Sequence, residues 1–274
     1  MKNKTIDLMP ARIRFKERAQ QLSHTAKKSL GQNFLISDHV IQKIIESANE
    51  TGEKNLIEIG PGLGALTDFL VLNHENYTAI EMDHSLSEYW KDQGLSVVEG
   101  DALRIDWSNL TGNLLVSNLP YQISSSIVID RCINPFKIQT MILMFQKEVA
   151  QRIRAKEKTD AYGMLSVIAQ EFWDIETVCD AGPKDFDPPP KIASRVLKFK
   201  QRTSEITNRS HYLQFVKSCF QQRRRILKSN LPSSMTENLM KWIENKKLSD
   251  KVRVEELSPV QIRELYFFIT QGEH

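Results

Sequence analysis

Apolar residues in this chain fall into two rhythms that take turns along its length. Short, nearly continuous runs at 55–59, 77–80, 95–100, 114–117 and 140–145 have the length and content of strands buried on both faces. Between them the apolar positions move to helical spacing. Val40, Ile41, Ile44 and Ile45 follow a Ser37-Asp38 start signal, and the stretches 65–72, 124–131, 147–154 and 163–170 read the same way. The run 172–178 and the alternating run 194–199 complete the strands, the second closing the sheet. Beyond a polar linker at 203–210 the pattern is helical to the end. Strands alternating with helices predict an open α/β sheet, followed by a small all-helical domain. The almost wholly apolar run 140–145 is expected inside that sheet.

Composition narrows the function classes. A chain of 274 residues accommodates one large domain and one small one, and its 26% charged and 41% hydrophobic content is ordinary for a globular protein. Net charge is only +3, so a nucleic-acid role must rest on local clusters rather than bulk basicity. Cys132, Cys179 and Cys219 are far apart and form no Cys-x-x-Cys pair. That argues against a disulfide framework or a metal site and suits a reducing, cytoplasmic setting. No apolar run reaches membrane-spanning length, and a membrane partner is not expected. Residues 1–26 form a polar, irregular arm with Arg12, Arg14, Lys16 and Arg18 close together. It reads as a solvated arm, a surface helix, or a basic segment touching RNA phosphates.

Chemistry concentrates at the strand ends. Gly60-Pro61-Gly62-Leu63-Gly64 follows the first strand, where glycines let the backbone approach a bound nucleoside. The turn also satisfies the loose dinucleotide fingerprint, but Glu58, inside the strand before it, favours S-adenosylmethionine over a nicotinamide cofactor. Glu81 ends the second strand, where a carboxylate accepts both ribose hydroxyls, with Asp83 a second candidate. Asp101 follows the third strand and either accepts from the adenine amino group or caps a helix. The fourth strand ends in Asn118-Leu119-Pro120-Tyr121. Pro120 cannot continue a ladder, so the chain leaves the sheet there and presents an amide, a carbonyl and an aromatic face. Two acceptors and a ring suit an exocyclic amino group on a flat base. The proline-stiffened loop 182–191 carries Phe186, either a buried anchor or a second wall for that base. Arg223, Arg224 and Arg225 form the densest basic cluster, expected on a helix with Ile226 and Leu227 facing the core.

These stretches together resemble the small-subunit ribosomal RNA adenine N6-dimethyltransferase family. The motifs that carry the resemblance are Leu30-Gly31-Gln32-Asn33-Phe34-Leu35, the strand and turn from Glu58 to Gly64, and Asn118-Leu119-Pro120-Tyr121. Gln146-Lys147-Glu148-Val149-Ala150, Tyr162-Gly163-Met164-Leu165-Ser166-Val167, the run from Phe186 to Lys191, and Phe220 to Arg225 complete the set in order. The resemblance implies a Rossmann-like S-adenosylmethionine-dependent methyltransferase domain over 27–202 and a helical RNA-binding domain over 203–274. It implies a cofactor pocket of Asn33, Leu35, Gly60, Glu81, Asp101 and Asn118, and a target-base slot of Asn118, Leu119, Pro120 and Tyr121 with Phe186. Its substrate class is a pair of adjacent adenosines in a 3′-terminal hairpin loop of small-subunit ribosomal RNA, each methylated twice, within an assembling subunit. A monomer that needs no metal is expected.

Overall fold

The structure, a computed structural model, describes residues 9–27 and 30–271. Residues 1–8 of the expected arm, Lys28 and Ser29 before Leu30, and the last three residues lie outside the described residues. In chain order the main elements begin with α1 (Ala11–Gln21), β1 (Phe34–Leu35), α2 (Asp38–Asn49), β2 (Asn55–Ile59), α3 (Thr67–Asn73), β3 (Asn76–Glu81) and α4 (His84–Asp92). They continue with β4 (Ser96–Glu99), β5 (Leu114–Asn118), α5 (Ser124–Ile133), β6 (Thr140–Gln146), α6 (Lys147–Arg154) and α7 (Met164–Phe172). The remainder are β7 (Trp173–Ala181), β8 (Phe186–Asp187), β9 (Ser194–Gln201), α8 (Arg209–Cys219), α9 (Thr236–Asn245) and α10 (Pro259–Gln271).

Seven strands form one mixed sheet in the order β4-β3-β2-β5-β6-β9-β7. The pairs from β4 to β6 are parallel, and β9 runs antiparallel to β6. As the apolar pattern predicts, β5 and β6 are interior strands. Leu114, Leu115 and Val116 of β5 and Met141 to Phe145 of β6 are fully buried, which requires cover on both faces. The sheet ends at β7 rather than at β9, so 194–199 does not close it. Its alternating pattern is that of a strand with unequal faces, which an interior position next to the edge also satisfies.

Burial explains the helices of this sheet. Val40, Ile41, Ile44, Ile45 and Ala48 line one stripe of α2 and are all buried. Leu86 and Trp90 do the same for α4, which Asp83 caps by accepting from the Ser85 amide at 3.2 Å. A second, two-stranded ladder joins β1 to β8, with Leu35 opposite Phe186. The sequence pattern reads 29–35 as an ordered loop, because two residues are too few to show a period.

By packing, the chain divides into two units. One comprises Met1–Asp130, Pro135–Ala150 and Ile175–Gln201, and the other Arg131–Asn134, Gln151–Asp174 and Arg202–His274. The second unit thus takes in α7 and the second half of α6 as well as the C-terminal helices. Within it α7 packs on α8 and α10, and Arg209 lies 4.4 Å over the ring of Phe172. The expected arm does not stay irregular, since Ala11–Gln21 is helical. No described helix is long and apolar enough to cross a membrane.

Candidate functional site

Gly60, Glu81, Asp101 and Asn118 follow or end β2, β3, β4 and β5, so parallel strands deliver all four to one edge of the sheet. A cleft opens there, and these four line it together with Asn33 and Leu35. Leu119, Pro120 and Tyr121 line it as well. The structure therefore brings together the pocket residues expected from the sequence except Asp83 and Phe186; Phe186 is 2% exposed and packs in the core with Leu35 and Ile142. In this conformation Phe186 is the buried anchor.

Each group is held by bonds that leave part of its chemistry facing the cleft. Gly60 has a φ of 69°, and a Cβ there would meet nothing within 4 Å, so the cleft itself occupies that side of the turn. Glu81 is braced by backbone. One carboxylate oxygen accepts from the Gly62 amide at 3.2 Å and the other from the Asp83 amide at 2.9 Å. Each oxygen keeps a second lone pair for a hydroxyl. Burial raises the carboxyl of Glu81 above its usual range, with those amide bonds working against it. Asp101 accepts from the Leu103 amide at 2.9 Å and also lines the cleft; a turn rather than a helix follows it, so it caps no helix.

Asn118 shows how a distant segment orients a side chain. Its Nδ2 donates to the backbone carbonyl of Asn33 at 3.0 Å. A carbonyl can receive only the NH2 end of an amide, so Oδ1 is turned away as the remaining acceptor. Tyr121 is fixed at both ends. Its hydroxyl shares a hydrogen bond of 2.8 Å with Ser194, and its carbonyl accepts from Ser124 at 2.9 Å.

Two expectations need correction. Asp83 is not among the cleft residues. It accepts from Lys27 at 2.7 Å, Gln32 at 3.1 Å and the Ser85 hydroxyl at 2.8 Å. Burial pushes its carboxyl up, but those bonds outweigh it and hold the group below its usual range. The basic cluster is not on a helix. Arg223, Arg224 and Arg225 lie in a turn after α8, and Ile226 is 37% exposed while Leu227 is buried. Arg223 donates to Glu255 at 2.5 Å and to the carbonyls of Asp160 and Tyr162 at 2.6 and 3.2 Å. It braces the turn, whereas Arg224 and Arg225 are exposed.

Sequence reasoning missed the part of the cleft wall that comes from α1, namely Ala11, Arg14 and Phe15. The available signal was the spacing of Arg14 and Arg18, which one helical turn places on one face. Glu58 also lines the cleft; it is 2% exposed and accepts from the Tyr77 hydroxyl at 2.5 Å and the Thr67 hydroxyl at 2.9 Å.

Comparison with known proteins gives a consistent result. Residues 23–271 match the family model described as ribosomal RNA adenine dimethylase. A ribosomal RNA small subunit methyltransferase A from Bdellovibrio bacteriovorus is 50% identical over 260 residues, covering 91% of this chain and 95% of that protein. The corresponding protein of Hahella chejuensis is 33% identical, covering 87% and 90%. In fold, the chain is similar to a dimethyladenosine transferase from Plasmodium falciparum, with a TM-score of 0.74, 24% identity, and coverage of 88% and 99%. The 23S rRNA methyltransferase ErmE gives 0.64 at 24% identity, covering 85% and 98%.

Proposed function

The chain belongs to the ribosomal RNA adenine dimethylase family, and from that premise we propose that it acts on two adjacent adenosines in the 3′-terminal hairpin loop of small-subunit ribosomal RNA. It is an S-adenosylmethionine-dependent ribosomal RNA adenine dimethyltransferase. The assembling small subunit is the proposed setting, with the enzyme working as a cytoplasmic monomer. The 50% identity to a ribosomal RNA small subunit methyltransferase A supports the small-subunit assignment.

The cleft fits the cofactor. The open space beside Gly60 admits a nucleoside where a side chain would block it, and Glu81 and Asp101 stand at successive strand ends as acceptors. Glu81 would take the ribose hydroxyls and Asp101 the adenine amino group, with Asn33 and Leu35 as a wall. When bound, the cofactor supplies an electrophilic methyl group on a sulfonium.

The residues of the chain then supply position. An adenine amino nitrogen is a poor nucleophile because its lone pair is shared with the ring. Asn118 Oδ1 and the Leu119 carbonyl accept from that NH2 group and favour a pyramidal nitrogen with a localised lone pair. Pro120 holds the turn, and Tyr121 fixes the plane of the base. Holding the reacting groups in register accounts for most of the rate. The adenosine must be unpaired or flipped out to enter. Arg224 and Arg225, exposed beside the structural Arg223, take RNA phosphates.

The observation that carries this reading is the bond from Asn118 to the Asn33 carbonyl, which leaves the amide oxygen as the acceptor. Mass-spectrometric mapping of dimethyladenosine in ribosomal RNA from cells lacking the gene tests it. Two adjacent dimethyladenosines should vanish and return with the native gene but not with Asn118→Ala. Unchanged modification in the deletion strain would overturn the assignment.

A further inference from the structure

Helix α1 lies before the residues that match the family model, yet it supplies Ala11, Arg14 and Phe15 to the cleft wall. It is firmly attached. The Ala11 amide donates to Asp38 at 2.9 Å. Arg18 donates to both oxygens of Asp68 at 3.0 and 3.2 Å, to the Leu63 carbonyl in the glycine turn at 2.6 Å, and to the Tyr89 hydroxyl at 3.1 Å. Its guanidinium also lies 5.0 Å over the Trp90 ring. Arg18 is fully employed in fixing the helix to the turn.

Arg14 is not. Its Nε donates to the Met9 carbonyl at 3.0 Å, its Nη1 pairs with the same Asp68, and its guanidinium lies 4.8 Å over the Phe69 ring. Nη2 is buried and has no partner, although the side chain is only 8% exposed. Two guanidiniums thus share one carboxylate, which leaves a surplus positive charge and an unpaired donor in the wall of the cleft. Burying such a group without an anion is unfavourable.

We propose that Arg14 is the receptor for the α-carboxylate of the methionine moiety of S-adenosylmethionine. This rests on the reading of the cleft as the cofactor site. Arg14 lines the cleft, so the anion that meets it comes from the ligand of the cleft. The carboxylate is the anionic group on the cofactor. The Glu81 and Asp101 end of the cleft is itself acidic and repels it. Arg14 stands instead beside Asp68 of α3, the helix that follows the glycine turn. Methionine binding therefore depends on a helix that the family pattern does not include.

Calorimetry with S-adenosylmethionine and with its decarboxylated form, which differs only in the carboxylate, tests this directly. The native chain should prefer the intact cofactor. Arg14→Gln should lose roughly ten- to hundredfold in affinity for it and almost nothing for the decarboxylated form, the loss expected for one charge-assisted hydrogen bond. Equal losses on both forms, or none on either, overturn the proposal. If Arg14→Gln does not fold, Arg14→Lys reads the same ratio. Lys is a point charge without the fork, so the preference should shrink, and an unchanged ratio overturns the proposal. A native chain that binds neither form would instead refute the cofactor reading of the cleft.

Discussion

Glu58→Gln should flatten the pH dependence of stability between pH 4.5 and about 7. Burial raises the Glu58 carboxyl from an ordinary 4.5 to about 7, and the hydroxyls of Tyr77 and Thr67, which favour the charged form, only partly offset it. The folded chain therefore holds a proton that the unfolded chain releases. The stability contributed by the neutral carboxyl is complete below pH 4.5 and declines as pH rises, until it is lost above about 7. At about 1.4 kcal/mol per unit, that interval corresponds to roughly 3 kcal/mol. Gln has the shape of the neutral acid, and its oxygen accepts from both hydroxyls, so it never acquires the charge. Urea unfolding of both proteins without cofactor, in steps from about pH 5 to 8, measures the difference. The variant should gain on the native chain by roughly 3 kcal/mol across the window. A constant gap would show that Glu58 keeps an ordinary carboxylate pKa and that its burial carries no electrostatic cost.

Asn118→Ala should lower single-turnover methyl transfer by roughly a hundredfold or more while RNA affinity changes little, and Asn118→Asp, which keeps an acceptor, should retain more activity than Ala. Native-rate transfer by the Ala variant with cofactor and RNA saturating would remove Asn118 from the chemistry. Glu81→Ala should weaken cofactor binding by about 1.5–3 kcal/mol in calorimetry. Because it also strips the Gly62 and Asp83 amides of their acceptor, its melting temperature should fall without cofactor, and an unchanged melt would refute that bracing. Replacing Arg224 and Arg225 with Gln should reduce the salt slope of RNA binding by about 2, whereas Arg223→Gln should act on stability through Glu255; equal effects of the three would return them to one class.

The parallel half of the fold was legible because β2, β3, β5 and β6 are buried runs bounded by turn residues, which is a one-dimensional signal. Their order in the sheet then gathers Gly60, Glu81, Asp101 and Asn118 without further information. What stayed hidden depends on contacts distant in sequence. Arg14 reaches the cleft through an ion pair with Asp68, 54 positions away, and nothing in a basic arm announces that pairing. Asp83, an acid two residues beyond the strand end at Glu81, reads as a weaker candidate for the same job. Only the approach of Lys27 and Gln32 diverts it to holding the segment before Asn33. The arginine cluster was misplaced on a helix because its neighbours favour helix, while Arg223 finds better partners in Asp160, Tyr162 and Glu255 by turning.

The ladder between β1 and β8 has a kinetic consequence. Two residue pairs, with one further bond from the Ile36 amide to the Asp185 carbonyl at 2.8 Å, make a clasp far weaker than the seven-stranded sheet beside it. It is a local opening unit, able to unzip while the main sheet stays closed. Phe186 sits on this clasp, opposite Leu35 of the cleft wall, so the ring leaves the core only when the clasp opens. The amide of Ile36 should accordingly exchange with solvent faster than amides of β5. Any ligand that holds Leu35 in place should slow it, making that one proton a reporter of how often the aromatic becomes available.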